Sequence, residues 1–319
     1  MNKRKIGLAL LGVSLISALF SPARPQVREL EGNISLSGAW ALYPMALKWA
    51  EEFMKIHPQV HLDVQAGGAG KGIADALAGA EDLGMVSRAI HPAEVEKGAF
   101  AIAVCKDAVV PTISEKNPFL GQVIRAGVKK ETFSAVWVTE AAKTWGDVLG
   151  TSDKAPLHVY TRSDACGAAE TWANFLGKKQ EDLQGIGVYG DPGLAEAVRR
   201  DPLGLGYNNI NYAYDAKTRK PVKGLAILPI DLDGNGIIDE AENFYQDRDA
   251  ITEAIAKGAY PSPPARDLYL VSKGKPEKKV LVEFLKWVLS DGQQYVSQTG
   301  YIALSQEKLA EGLKRIGSL

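Results

Sequence analysis

The chain has 319 residues, 46% hydrophobic and 24% charged. That soluble globular composition excludes a disordered, collagenous or disulfide-stapled small protein, and the length predicts about two domains. Lys plus Arg number 37 against 38 Asp plus Glu, a net charge of −1, which excludes a basic nucleic-acid-coating protein. Two Cys and four His are too few for a Cys-rich zinc domain.

The N-terminus reads as a secretory signal peptide over residues 1–23. Lys3, Arg4 and Lys5 precede an apolar run to Phe20, and Ser21 and Ala23 stand at the −3 and −1 positions of a cleavage site. The run is short for a membrane span, so the expectation is export, to the periplasm or the outer face of the envelope. Cleavage leaves 34 basic and 38 acidic residues, a net charge of −4. Cys105 and Cys166 then sit in an oxidising compartment. Pairing and two buried thiols both stay open.

Residues 33–37 predict a strand and 39–56 a helix with apolar positions at helical spacing. Val60–Val64 alternates as a strand, and the glycine turn 67–72 leads into a helix over 73–79. Asp82–Val86 reads as a strand, Phe100–Val110 as a buried strand, and 119–149 as mostly helical. Leu157–Thr161 predicts a strand and 168–176 a helix, with Asp164 as its N-cap candidate. Residues 185–190 match G-x-G-x-x-G but read as a loop. A helix over 191–200, a short strand over 204–208, a proline-rich stretch 260–264 with an apolar run 268–271, and an amphipathic helix pair over 278–298 follow. The strand–turn–helix alternation indicates an α/β fold.

Residues 231–242, DLDGNGIIDEAE, carry the full calcium-loop pattern. Asp231, Asp233 and Asn235 occupy positions 1, 3 and 5, with Gly236 at the sharp turn. Ile237 offers a backbone carbonyl at position 7, Asp239 stands at 9 and Glu242 at 12. A hard dication requires such an oxygen shell. Only one loop is present, and a strand-like segment (LAILPI) precedes it. The expectation is therefore a structural Ca2+, not a regulatory pair.

Two glycine-bearing segments, 67–72 and 162–167, precede predicted helices and carry the cations Lys71 and Arg162. Helix starts of this kind cradle oxyanions through backbone N–H groups. Arg88 follows the strand that closes the first unit.

Several blocks, in order, resemble the phosphate-binding periplasmic proteins of ABC transporters. They are Ser37-Gly38-Ala39-Trp40-Ala41-Leu42-Tyr43-Pro44, Gly68-Ala69-Gly70-Lys71-Gly72-Ile73, and Val86-Ser87-Arg88-Ala89-Ile90. Trp145-Gly146-Asp147-Val148, Arg162-Ser163-Asp164-Ala165-Cys166-Gly167-Ala168 and Gly204-Leu205-Gly206-Tyr207 follow. The last is Phe284–Ser290 with Gly292-Gln293 and Thr299-Gly300-Tyr301.

The resemblance implies a two-lobe type II periplasmic binding protein fold with two hinge crossings. Lobe one is residues 30–104 plus 266–319, and lobe two is 105–265. The crossings fall near Cys105–Val110 and Pro263–Leu268. The resemblance also implies capture of phosphate or a related oxyanion between the lobes and delivery to ABC permease subunits, the only link to the membrane. The ligand set it implies is Leu42, Tyr43, Gly70, Lys71, Gly72, Ser87, Arg88, Arg162, Ser163, Cys166, Gly167 and Ala168. Arg88, Arg162 and Lys71 would supply charge, and the amides of Gly70, Gly72, Gly167 and Ala168 directed donors.

The chain departs from that pattern where the family places hydroxyls. Leu42, Ala69, Cys166 and Ala168 stand there, and each lost hydroxyl–anion bond costs about 1.5–3 kcal/mol. Arg88 stands where some members have an Asp, and a guanidinium can only donate. These departures suit a second expectation, a calcium-stabilised adhesion, sensor or scaffold module with a diverged anion site. No G-x-S-x-G, H-E-x-x-H or Walker loop is present, and His57, His61, His91 and His158 lack metal spacing. No enzymatic activity is expected.

Overall fold

The computed structural model describes residues 29–317, so the predicted signal peptide at 1–23 lies outside the described residues. The strands are β1 (Gly32–Gly38), β2 (Val60–Ala66), β3 (Leu83–Val86), β4 (Ala99–Ser114), β5 (Val128–Lys129), β6 (His158–Arg162), β7 (Ile186–Val188), β8 (Gly204–Asn209), β9 (Leu225–Ile227), β10 (Ile230–Asp231) and β11 (Ala265–Lys273). One sheet runs β2-β1-β3-β11-β4-β8-β6-β7, with β9 also on β4, and β5 and β10 form a separate pair.

The β4 strand is 16 residues long because Ala99–Ser114 is almost continuously apolar and β-branched or small. Its first part pairs antiparallel with β11, and its last part with β8 and β9. The buried apolar side chains separate along it into two cores. One holds Ile34 to Cys105 and Leu268 to Ile316, around Trp49, Phe53 and Phe284. The other holds Ala108 to Ala265 and Ile302, around Trp137, Trp172 and Tyr207. β4 and β11 are the strands shared by both cores, and Cys105 and Leu268 face each other across them.

The strand expectations match the observed strands within a few residues, but three local readings need correction. The stretch 119–149 is not mostly one helical run. It breaks into Leu120–Ala126, Lys130–Trp137 and Trp145–Leu149. Gly127 at φ 65° ends the first, and the Thr144/Asp147 capping box starts the third. Residues 185–190 are not a loop: Ile186–Val188 is the edge strand β7, parallel to β6, and a helix begins at Gly190. The helix after the first glycine turn starts at Ala69 rather than Ile73, with Gly68 as N-cap at φ 92°.

Candidate functional site: a cleft of helix N-termini and guanidiniums

Four helices of nine residues or more start at the junction of the two cores: Tyr43–Ile56, Ala69–Ala78, Gly167–Phe175 and Gly190–Arg200. Their turns touch across the cleft at sub-side-chain distance. Gly70 N–H donates to Ala165 O at 3.1 Å, and a Cβ on Gly70 would meet that oxygen at 3.0 Å. A Cβ on Gly167 would fall 2.2 Å from Ser87 Oγ and 2.3 Å from Ser87 O. Trp40 stands edge-on to Tyr189, ring centroids 6.5 Å apart, and Tyr212 Oη donates to Trp40 O at 3.1 Å. Here the glycines are required by contact, because any side chain would hold the lobes apart.

Arg162 is the electrostatic centre, with a fully buried side chain. Its Nε and Nη2 donate to Asp164 at 2.8 and 2.6 Å, and its Nη1 donates to Asp191 at 2.6 Å. Burial opposes its charge, but the carboxylates, Asp191 foremost, hold the guanidinium ionised. Asp191 also accepts from Asn209 Nδ2 at 2.7 Å. Asp164 accepts the Gly190 N–H at 3.2 Å. Asp164 is therefore not the cap of the following helix. Cys166 takes that position, its Sγ accepting from Ala169 N at 3.4 Å.

Arg88 is 8% exposed. It forks onto Glu94 at 2.6 and 2.9 Å and reaches across the cleft to Glu170 at 3.0 Å. Burial again opposes its charge, and Glu94 and Glu170 outweigh burial. His91 Nε2 meets Glu170 from the same side at 3.1 Å. These residues line an interlobe groove of about 630 Å³ with Gly70 and Cys166.

Behind the groove, Arg266 and Asp107 are cross-strand partners on β11 and β4. Arg266 Nη1 donates to Gly167 O at 2.6 Å and Thr171 Oγ1 at 2.7 Å, and its Nη2 bonds Asn209 Oδ1. Asp107 is fully buried, and neither carboxylate oxygen has a hydrogen-bond partner among the described residues. Arg266 Nη2 stands 3.6 Å away. Desolvation pushes the Asp107 carboxyl up to about 7, against the opposing pull of Arg266.

The structure brings together Gly70, Ser87, Arg88, Arg162, Cys166, Gly167 and Ala168 of the expected set. Gly167 and Ala168 open their helix, so their amides have no intrahelical acceptor. Four others do not serve as expected. The Leu42 side chain is fully buried in the first core, which apolar surface favours over a polar cleft. Lys71 pairs with Asp75 one turn along its own helix, leaving its charge on that surface. The Gly72 N–H is spent on Gly68 O at 3.1 Å. Gly72 serves packing instead, since a Cβ there would meet Met85 O at 2.6 Å. Ser163 is exposed beside β7, its N–H donating to Val188 O at 3.1 Å. Tyr43 is half-buried and stands edge-on to Trp40, ring centroids 6.3 Å apart.

Cys105 and Cys166 are free thiols, each buried in a different core. Burial pushes the Cys166 thiol up to about 12, although Arg162 pulls it down. Sequence reasoning missed Asp107, Asp191, Asn209 and Arg266. Only three-dimensional pairing singles them out.

The described architecture and its sequence now meet a known group. Residues 23–292 match the PBP superfamily domain. The chain belongs to this family. Among curated relatives, the phosphate-binding protein PstS of Pseudomonas aeruginosa is 29% identical over 334 residues, covering 96% of this chain and 95% of that protein. A substrate-binding protein with bound phosphate from Clostridium perfringens superposes with a TM-score of 0.70 at 20% identity, covering 86% of this chain and all of that one. The ABC-type phosphate transport receptor of Vibrio cholerae gives 0.62 at 17%, covering 85% and 100%. At such identities these structures share the fold, that of type II periplasmic binding proteins. No helix among the described residues is long and apolar enough to cross a membrane.

Proposed function

We propose that this PBP superfamily chain is an exported solute-binding protein that captures phosphate, or an oxyanion of its class, between two lobes and delivers it to an ABC permease. The observation that carries the reading is that helix N-termini from both cores meet across a glycine-lined contact, Gly70 against Ala165 and Gly167 against Ser87, beside the Arg162–Asp164–Asp191 cluster. Aligned N–H groups at such termini bind anions without net positive charge. The full-length likeness to a phosphate-binding protein supports the same reading.

Lobe one is assigned residues 30–104 plus 266–319 and lobe two 105–265, with β4 and β11 as the hinge. Opening would break the Arg88–Glu170 and His91–Glu170 pairs and the Gly70–Ala165 and Tyr212–Trp40 hydrogen bonds. Arg88 keeps its Glu94 fork on opening, and Glu170 and His91 already meet solvent, so these cross-cleft contacts hold the closed state weakly. The closed state is thus marginal on its own contacts, and a bound anion shifts the population by its differential affinity.

One observation favours a second reading, a calcium-stabilised adhesion, sensor or scaffold module. Arg88 and Arg162 are each already bound by two carboxylates. Titration calorimetry of the cleaved chain separates the two. Phosphate binding in the micromolar range, weakened at least tenfold by Arg162→Ala, supports capture. No binding of phosphate, sulfate, molybdate, phosphonates or small carboxylates by the parent refutes it.

A further inference from the structure

We propose that residues 231–242 form a calcium site that staples the second lobe. Carboxylate oxygens of Asp231, Asp233 and Glu242 lie within 4.8 Å of one another. The second observation concerns Glu242, which is only 5% exposed. Its Oε1 accepts from Leu232 N at 2.6 Å and Asp233 N at 3.2 Å. Its Oε2 is buried with no hydrogen-bond donor among the described residues. A buried carboxylate oxygen without a partner carries a desolvation penalty that a dication at the cluster removes.

The remaining oxygens suit a hard cation. Asp231 Oδ1 and Oδ2 accept from Gly234 N at 2.8 Å and Gly236 N at 2.9 Å, which fixes that carboxylate. Asn235 Oδ1 and Asp239 Oδ1 take the N–H groups of Ile237 and Ala241, both at 2.8 Å. The charge and oxygen count favour Ca2+ over Mg2+, which demands a stricter octahedron and gives up its waters reluctantly.

The position of the loop states what the metal would do. β10 pairs with β5 through Ile230–Val128 and Asp231–Lys129. At the loop's far side, Ile238 N donates to Arg125 O at 2.8 Å. The first position of the loop and its eighth therefore both hold the segment 125–129. Beyond Glu242, Phe244 and Tyr245 enter the second core against Tyr260. Tyr245 O accepts from Tyr214 Oη at 3.0 Å, and Tyr245 Oη accepts from Ile230 N at 3.1 Å. Drawing Glu242 onto a cation shared with Asp231 locks this segment to β10.

The test is calcium titration of the chelator-treated chain in a phosphate-free buffer, by calorimetry and by thermal unfolding. The expected result is one site with a Kd between about 10⁻⁶ and 10⁻³ M, with Mg2+ binding more weakly. The melting temperature should rise by about 5 °C at a hundredfold excess over Kd. Glu242→Gln keeps the volume and removes the charge, and should weaken binding at least tenfold. Asp233→Asn, at an exposed position, should do the same and decides the matter if Glu242→Gln does not fold. Absence of heat and of a thermal shift at about 10 mM Ca2+, or an unchanged response in the folded variants, overturns the site. Neither outcome depends on anion binding.

Discussion

Asp191→Asn isolates the cost of the carboxylate that faces Arg162. The substitution keeps the shape and an acceptor for Asn209 Nδ2, and it leaves the Asp164 fork on Arg162 untouched. It removes one buried negative charge 2.6 Å from Arg162 Nη1. An oxyanion bound to the same guanidinium would stand about 5–6 Å from that carboxylate. At an effective dielectric of about 20, the repulsion at this distance is about 3 kcal/mol. That is roughly a hundredfold ceiling on the gain in affinity. Relaxation of Arg162 toward Asp164 lowers the gain, so tenfold or more is the expected outcome. Lost hydrogen bonding to a charged group should cost the fold about 1–3 kcal/mol. Calorimetry with phosphate at pH 7.5, alongside thermal unfolding, reads both quantities. An unchanged or weaker phosphate Kd in a folded variant would refute the claim that anions bind beside Arg162.

Gly167→Ala tests closure. Its Cβ would fall 2.2 Å from Ser87 Oγ, so the closed cleft should be lost. Phosphate affinity should drop at least tenfold, and small-angle scattering should show no contraction on adding phosphate. Retained affinity would show that the Gly167–Ser87 contact is not needed for capture. Asp107 tests the hinge pair through pH. Its carboxyl is raised in the folded state to about 7, so its contribution is full below the unfolded value and is lost as pH rises through 7. Between pH 8 and 5.5 the parent should gain about 2 kcal/mol that Asp107→Asn lacks. Parallel stability curves for the two proteins would contradict the assignment.

Patterning showed the elements because most carry their own period. Leu62 inside and His61 and Asp63 outside mark β2. The helix Lys279–Val288 shows a broad apolar face. The glycine loops were legible as helix starts for a local reason, since glycines next to the first apolar-periodic residues mark a turn into a helix without reference to distant partners. Local patterning failed at β7, three residues with two exposed, which exists only because β6 offers a free edge. The charge partners were invisible for the same kind of reason. Arg162 was legible by its loop. Asp191 lies 29 residues away and Glu170 lies 82 from Arg88, brought close only by the fold. Lys71 misled because an i,i+4 carboxylate, Asp75, offers it a nearer partner than the cleft.

The buried charges around the cleft constrain how it can work. Arg88, Arg162 and Arg266 face Glu94, Glu170, Asp164, Asp191 and Asp107. Even with Asp107 neutral, the carboxylates outnumber the guanidiniums, and the chain as a whole is not positive. Long-range attraction therefore gives an anion no help in arriving. Any affinity must arise after contact, from directed N–H groups in a site that excludes water, where each charge-assisted bond is stronger than in solvent. Closure supplies that exclusion, and it depends on the lobes meeting without side chains at Gly70 and Gly167. On this argument the glycines set the affinity as much as the arginines do, because the arginines are largely spent on holding the walls in place.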